Sequence, residues 1–412
     1  MSATTRVLLG LVLGAAVGLA LESADPALAA AAADAARPIG RLWLNALQMT
    51  VVPLVVALVV IGVNTASDAA ASGRIAHTAL LAFVLLLAGG AAFAAAAAPF
   101  LLSLLPRDAA LVEALRAAMG TAAPPAGPVN LAEWFSGVVP ANAVAAAAQG
   151  AMLPLVVFAL LFGFALTRIE AARSQRIIDL FQSIADAMIV IVRWVLWLAP
   201  LGVFALVLVV CASVGGEILG LLGAYVAIQC AVYLGIVAML YLVAIAGGGE
   251  SLRRFAAGIL PAQVIAVSTQ SSLASLPAML ESANTRLRYP PAVTDLVLPM
   301  AVSLFRVTSP AQYVGVASFI AWAYGVELPA LQMTAAVGLA VVISLGSVGL
   351  PGQVSFMATN LPVVQSLGLP TEPLGLLLAV DTIPDAVATV GNVTGDLTAT
   401  SVVARRTRRG PT

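Results

Sequence analysis

The sequence predicts an all-α integral membrane protein, and three observations carry that prediction. Of its 412 residues, 61% are hydrophobic and 9% charged, where a soluble domain has about 25% charged residues; the mean hydropathy is +1.06. Apolar runs of roughly 20 residues, enough to cross a hydrocarbon core, recur from end to end. Two more apolar segments are interrupted at their middles by polar or Gly/Pro clusters. Backbone of that kind is tolerated at membrane depth only where it is buried in protein or lines a cavity. The bilayer is thus the chain's solvent, and its zero net charge argues against a nucleic-acid partner.

Taken in order, uninterrupted spans are predicted at 5–22, 42–63, 78–105, 151–168, 185–211 and 218–247. The first resembles a secretory signal peptide, with Arg6 ahead of the apolar run 7–21. The many later spans make a retained first transmembrane helix the expectation. The segment 106–150, with Pro124, Pro125, Pro128 and Pro140, is expected to be a partly irregular connection. Arg6, Arg74, Arg173, Arg176, Arg253, Arg254 and the terminal Arg405, Arg406, Arg408 and Arg409 place both termini in the cytoplasm by the positive-inside rule. Cys211, Cys230 and the single His77 read as packing residues, because they make neither a disulfide framework nor a metal cluster. Arg193, beside Trp194 and Trp197, reads as a snorkelling or stacking residue. No cofactor is called for.

After residue 250 the pattern changes. The segment 255–285 is interrupted at 268–277 (Ser-Thr-Gln-Ser-Ser-Leu-Ala-Ser-Leu-Pro), and 331–366 at 346–352 (Gly-Ser-Val-Gly-Leu-Pro-Gly). Each is followed by a full span, at 291–325 and 371–405. Paired interruptions in corresponding positions point to the binding site of a transporter. Half-helix N-termini at the two tips would offer free N–H groups to a carboxylate.

The densest polar signal lies in the last span. On one helix, Asp381, Asp385, Thr389, Asn392 and Asp396 share a face. Three ionised groups at bilayer depth are expensive unless partners or water relieve them, so this stripe is read as a site. Between 290 and 404 the other charged residues are Asp295, Glu327 and Glu372, near span ends, and Arg306. The deep set is therefore one arginine against three aspartates. Asp381 and Asp385 share one helix, which argues against an intramembrane protease dyad meeting across a cleft. The absence of a ring of charge argues against a dedicated channel. The expectation is not an enzyme but a carrier.

Several stretches carry a family resemblance: residues 47–55 (Leu-Gln-Met-Thr-Val-Val-Pro-Leu-Val), 140–144 leading into 150–158, and 200–206 (Pro-Leu-Gly-Val-Phe-Ala-Leu). The tip ending in Leu276-Pro277, the tip 349–352 (Gly-Leu-Pro-Gly) and the motif 392–396 (Asn-Val-Thr-Gly-Asp) are the most specific. Over nearly its whole length the chain resembles the dicarboxylate/amino acid:cation symporters, the glutamate transporter homologues. That resemblance implies eight transmembrane helices plus two re-entrant helical hairpins, in an elevator-type glutamate transporter fold. It implies a homotrimer in the bacterial inner membrane. It also implies a scaffold of spans 1–2 (1–74) and 4–5 (106–216), and a transport domain of span 3 (75–105) and residues 217–412. The latter holds span 6, hairpin 1 (251–285), span 7 (291–325), hairpin 2 (330–366) and span 8 (371–405).

The resemblance also implies roles. Asp385 matches the partner of the substrate ammonium. Asn392, with Ser271 and Ser272 of the first tip, matches the α-carboxylate site, and Gly349 lies at the second tip. Ser309, Thr389 and Gln353 are candidates for contacts with the substrate side chain. Two departures stand out. Ala388 occupies the position of the arginine that binds an acidic side chain. Phe305-Arg306-Val307 replaces the Asn-Met-Asp of the seventh-span sodium motif, and Ala88-Gly89-Gly90 lacks the facing hydroxyls of the third span. Gln270 stands where some relatives carry an arginine.

These departures predict a carrier of a small neutral amino acid, with sodium coupling reduced or absent. Arg306 either pairs with Asp396 or sits as a tethered cation where sodium would bind, and Asp381 is either protonated or hydrogen-bonded. A surviving sodium site would use Asp396 with the backbone of Ala301, Phe305 and Asn392. A second would use carbonyls of Ser344, Leu345 and Ser347, crowded by Arg306. The alternative is a sodium-coupled symporter of acidic amino acids or dicarboxylates, in which Arg306 holds the substrate carboxylate.

Overall fold

A computed structural model of the chain describes residues 3–71, 73–106, 112–113, 136–346 and 352–408, without side-chain description at 3–4, 346 and 352–354. Gly349 and Ser347, and the side chain of Gln353, therefore lie outside what is described.

The regular secondary structure of the described residues is all helical. Helices α1 (Ala3–Ala24), α2 (Pro26–Gln48), α3 (Val51–Ala71) and α4 (Arg74–Ser103) form the first third. Helices α5 (Ala143–Ala148), α6 (Met152–Leu166), α7 (Ala171–Trp197), α8 (Ala199–Val214) and α9 (Glu217–Ala246) follow. Helices α10 (Leu252–Thr269) and α11 (Ser272–Glu281) pack against each other as a hairpin that ends in a π-helical turn, Ser282–Arg286. Then come α12 (Pro291–Leu304), α13 (Thr308–Ala323), the paired α14 (Ala330–Gly346) and α15 (Gly352–Ser366), α16 (Pro373–Val380) and α17 (Thr382–Arg408). Six helical segments among them are long and apolar enough to cross a membrane, or seven if the bent pair α16–α17 counts as one span. The chain is a multi-pass membrane protein.

Several runs read as continuous spans prove to be broken. The span predicted at 185–211 straddles the junction of α7 and α8, the seventh predicted span breaks between Leu304 and Thr308, and α16 and α17 meet at 69°. In each case a proline stands in the first turn of the following helix: Pro200, Pro310 and Pro384. A proline ring clashes with the carbonyl four residues back and supplies no N–H to it. For Pro310 that carbonyl belongs to Arg306, inside the break, and for Pro384 to Val380, the last residue of α16. The second span, predicted at 42–63, extends instead from Pro26 to Ala71 with a break at 49–50, and Pro53 lies in the first turn beyond it. In the last span the break falls at Asp381. The single straight stripe of the sequence reading is thus corrected: Asp381 sits at the bend and only Asp385 onward share the long helix.

The helices fall into packing groups. Helices α1 and α2 pack on α8. Gly10, Gly14 and Gly18 of α1 lie directly against Pro200, Phe204 and Cys211, leaving no room for a Cβ, the small-residue stripe that lets helices meet in lipid. Helices α6 and α7 pack on α3. Hairpin α10–α11 packs on α9, α12 and α17, while α14–α15 packs on α13 and also reaches α3, α6 and α7. At the centre, α13 and the stretch of α17 from Ala388 to Ser401 are buried on nearly all sides.

Candidate functional site

Chain breaks gather around α17. Its glycines Gly391 and Gly395 abut the α12–α13 interruption: a Cβ on Gly391 would fall 2.5 Å from Thr308 Cγ2, and one on Gly395 2.8 Å from Val307 Cγ1 and 3.2 Å from Phe305 Cε1. Small residues are required there because the side chains of Phe305, Val307 and Thr308 press directly on the backbone of α17. The α10–α11 tip reaches the start of α17, where Gln270 Nε2 donates to Thr382 O at 3.3 Å. Gln270 itself adopts φ 49°, ψ 34°, a left-handed turn uncommon for a residue with a Cβ.

Asn392 caps the broken helix from outside. Val307, at the N-cap of α13, supplies no side-chain bond. Asn392 Oδ1 instead accepts from Thr308 N at 3.0 Å and from Thr308 Oγ1 at 2.9 Å, and Thr308 Oγ1 also lies 3.3 Å from Ala388 O. The buried Asn392 Nδ2 has no hydrogen-bond partner among the described residues. The amide thus spends its acceptor on the protein and keeps its donors.

The three aspartates occupy different environments. Buried Asp381 accepts from Tyr225 Oη at 3.0 Å and from Gln312 Nε2 at 3.0 and 3.2 Å. Asp385 is half-buried, and its backbone N–H donates to Asp381 O at 2.8 Å. Asp396 is wholly buried, and neither of its carboxylate oxygens has a hydrogen-bond partner among the described residues. An ionised carboxylate held that way costs several kcal/mol, a cost that a proton or a nearby cation would relieve.

Arg306 lies in the break, half-buried, with its Nε buried and unpartnered among the described residues. It is close enough to interact electrostatically with both Asp385 and Asp396, yet forms an ion pair within 4.0 Å with neither among the described residues. Its neighbours are apolar. Phe305 is 1% exposed and stacks on Phe83 of α4 with ring centroids 4.7 Å apart and planes at 12°. Val307 is fully buried against Gly90 and Gly395. The side chains at two positions of the expected seventh-span sodium motif, Phe305 and Val307, are thus hydrocarbon.

The remaining predicted residues surround this centre. Ser271 Oγ accepts from Ala274 N at 3.2 Å, capping α11, and the neighbouring Ser272 Oγ is buried without a partner among the described residues. Ser309, Ala388 and Thr389 are buried; Ser309 N donates to Arg306 O at 3.0 Å and Thr389 Oγ1 to Asp385 O at 2.8 Å. Ala301 O accepts from Phe305 N at 2.7 Å. Ser344 is buried and Leu345 half-buried on α14. Arg193 is exposed on α7 beside Trp194 and Trp197.

Sequence reasoning missed Tyr225, Gln312 and Thr308 as partners of the stripe. It also missed Gln263, whose Nε2 donates to Thr394 Oγ1 at 2.9 Å and ties α10 to α17. The signal was present: amides in otherwise apolar helices rarely lack a partner.

With this geometry in view, the kinship of the chain is specific. It is similar to the "Proton/glutamate-aspartate symporter" of Escherichia coli (strain K12), 29% identical over an alignment covering 97% of this chain and 92% of that protein. It is similar to the "Neutral amino acid transporter B(0)" of Oryctolagus cuniculus, 30% identical over 93% of this chain and 76% of that protein. A "C4-dicarboxylate transport protein" of Laribacter hongkongensis (strain HLHK9) is 26% identical over 90% of this chain and 83% of its own length. Residues 3–406 match the family described as "Sodium:dicarboxylate symporter family". The chain belongs to that family of transporters and is not an enzyme.

Proposed function

We propose that the protein is a secondary transporter of a small neutral amino acid whose sodium coupling is reduced or absent. The observation that carries this reading is Arg306: a guanidinium fixed in the α12–α13 break, acting on Asp385 and Asp396 without closing on either. A covalently attached cation neutralises the pocket but cannot leave it, so it cannot transmit a sodium gradient. Asp385 receives the substrate ammonium. Asn392 Nδ2 and Ser272 Oγ, both unpartnered among the described residues, receive the α-carboxylate together with Ser271. Ala388, where acidic-substrate relatives are expected to carry arginine, leaves the side-chain end of the pocket uncharged, with Ser309, Thr389 and Gln353 for polar contacts and Gly349 at the second tip.

An elevator movement is the mode of transport in this proposal. The hairpin α14–α15 is seated against α3, α6 and α7, whereas α10–α11 packs within its own group. Leu273 and Ile383, beside the first tip, are 69% and 62% exposed. They form an apolar surface suited to taking that seat once the transport group shifts. Eight spans and two re-entrant hairpins, a homotrimer, and an inner-membrane location with cytoplasmic termini complete the proposal by resemblance to the family.

A second reading rests on the Nε of Arg306, unpartnered among the described residues. A guanidinium with a free N–H is available to the side-chain carboxylate of an acidic amino acid or dicarboxylate, in a sodium-coupled cycle. Uptake of a radiolabelled panel into proteoliposomes, with sodium replaced by choline on both sides, separates the two. Unchanged uptake of a neutral amino acid is expected; uptake of glutamate, aspartate or succinate that vanishes without sodium would establish the second reading instead.

A further inference from the structure

Three stretches far apart in sequence bring arginines to one end of the bundle. Arg253 and Arg254 open α10, Arg286 and Arg288 lie in the turn after α11, and Arg405, Arg406 and Arg408 end α17. Backbone carbonyls knit them together. Arg254 Nη2 donates to Leu287 O, Arg408 Nη2 to Arg288 O at 2.7 Å, and Arg405 Nη1 to Ala246 O at 2.6 Å and Gly247 O at 3.2 Å. Gly249, at φ +72°, passes so close to Arg405 that a Cβ would lie 3.2 Å from its Nε. The acids beside the cluster are Glu250, 3.8 Å from Arg254, Glu281 and Asp295. Positive charge therefore predominates, and Arg253, Arg286, Arg406 and Arg408 are exposed.

The cluster does not stand on a polar surface. From Arg253 the exposed face of α10 continues through Ala257, Leu260 and Val264, which share one side of a helix; Leu260 and Val264 are each 56% exposed. Guanidinium groups at the end of an apolar stripe are placed as at a membrane–water boundary, heads in water and stems over hydrocarbon.

We propose that this cluster is a docking surface for anionic phospholipid headgroups of the cytoplasmic leaflet. The planar guanidinium fork suits a phosphodiester, and the carbonyl bonds hold the arginine-bearing segments in place before lipid arrives. The apolar stripe takes the acyl chains. A soluble phosphate would meet the same charges but make no use of the stripe. The positive-inside rule assigns this end to the cytoplasm, where anionic lipid attracts basic clusters. The inference does not depend on what the protein carries.

The test is binding, read without transport. The full-length protein is purified in detergent from membranes containing phosphatidylglycerol, and retained lipid per protomer is quantified by mass spectrometry. The triple variant Arg253→Gln, Arg286→Gln, Arg406→Gln is expected to retain several-fold less phosphatidylglycerol than the wild type. Arg173→Gln with Arg176→Gln, on α7, should retain as much as the wild type. In parallel, phosphatidylglycerol should raise the wild-type melting temperature, whereas phosphatidylcholine and inorganic phosphate should not. Equal retention in the wild type and the triple variant, an equal loss in the α7 variant, or equal stabilisation by phosphate would each overturn the proposal.

Discussion

Asn392 gives its carbonyl oxygen to the first turn of a helix it does not belong to, bonding Thr308 N at 3.0 Å and Thr308 Oγ1 at 2.9 Å. One side chain thereby holds the α12–α13 break in register with α17 and still presents two N–H donors. Its two ends should be separable by mutation. Asn392→Asp keeps an acceptor for Thr308 N but loses both donors. It is expected to lose uptake by 100-fold or more, an effect of a few kcal/mol, and, because it buries a further carboxyl one turn from Asp396, to approach the wild-type melting temperature only at low pH. Asn392→Ala orphans Thr308 N as well and should be destabilised by about 1–3 kcal/mol. Thermal unfolding of both variants in detergent, set beside uptake, checks the separation.

Asp385 has a single proposed task. Asp385→Asn should abolish uptake of α-amino acids while leaving size-exclusion behaviour and melting temperature intact, because the charge it balances arrives with the substrate. Retained uptake of any α-amino acid would remove Asp385 from that role.

Replacing Arg306 by Met leaves two carboxylates without their nearby cation, and a buried charge stripped of compensation is strongly destabilising. The expected outcome is loss of stability that sodium partly restores, as the freed site regains a mobile cation. Adding Asp396→Asn should remove the sodium effect and most of the instability, leaving the share that comes from half-buried Asp385. A melting curve with and without sodium for the single and double variants is the measurement, and indifference of Arg306→Met to sodium would sink the tethered-cation idea.

The close contact at Gly395 predicts a steric result. Gly395→Ala would place its Cβ 2.8 Å from Val307 Cγ1, in a core where overpacking typically costs about 1–3 kcal/mol. Gly89→Ala is the control: nothing lies within 4 Å of the added atom. In the interior of α4 alanine should be neutral or better by up to about 1 kcal/mol.

Composition and the recurrence of long apolar runs made the membrane class legible, because such runs recur too often for a water-soluble core to bury them. The breaks were less so. Pro200, Pro310 and Pro384 each follow an interruption, yet Pro99, Pro261, Pro299 and Pro362 sit inside continuous helices. A proline signals only that one carbonyl goes unbonded, and tertiary packing decides whether the helix bends, breaks or tolerates it. The stripe in the last span was legible as chemistry, since three aspartates on one apolar helix demand partners. The partners were not: Tyr225 comes from α9 and Gln312 from α13, and sequence separation of that size hides a hydrogen bond. Arg306 was legible as a departure from the family pattern, but its stand-off from both aspartates required coordinates.

The gathering of chain breaks around α17 has a consequence for how such a carrier changes over time. Every interrupted helix ends in amide and carbonyl groups that its own spiral cannot satisfy, so part of the polar lining belongs to the main chain and persists whichever side chains are present. In the proposed transport cycle, a residue exchange at position 388 changes what is recognised while these main-chain groups stay in place.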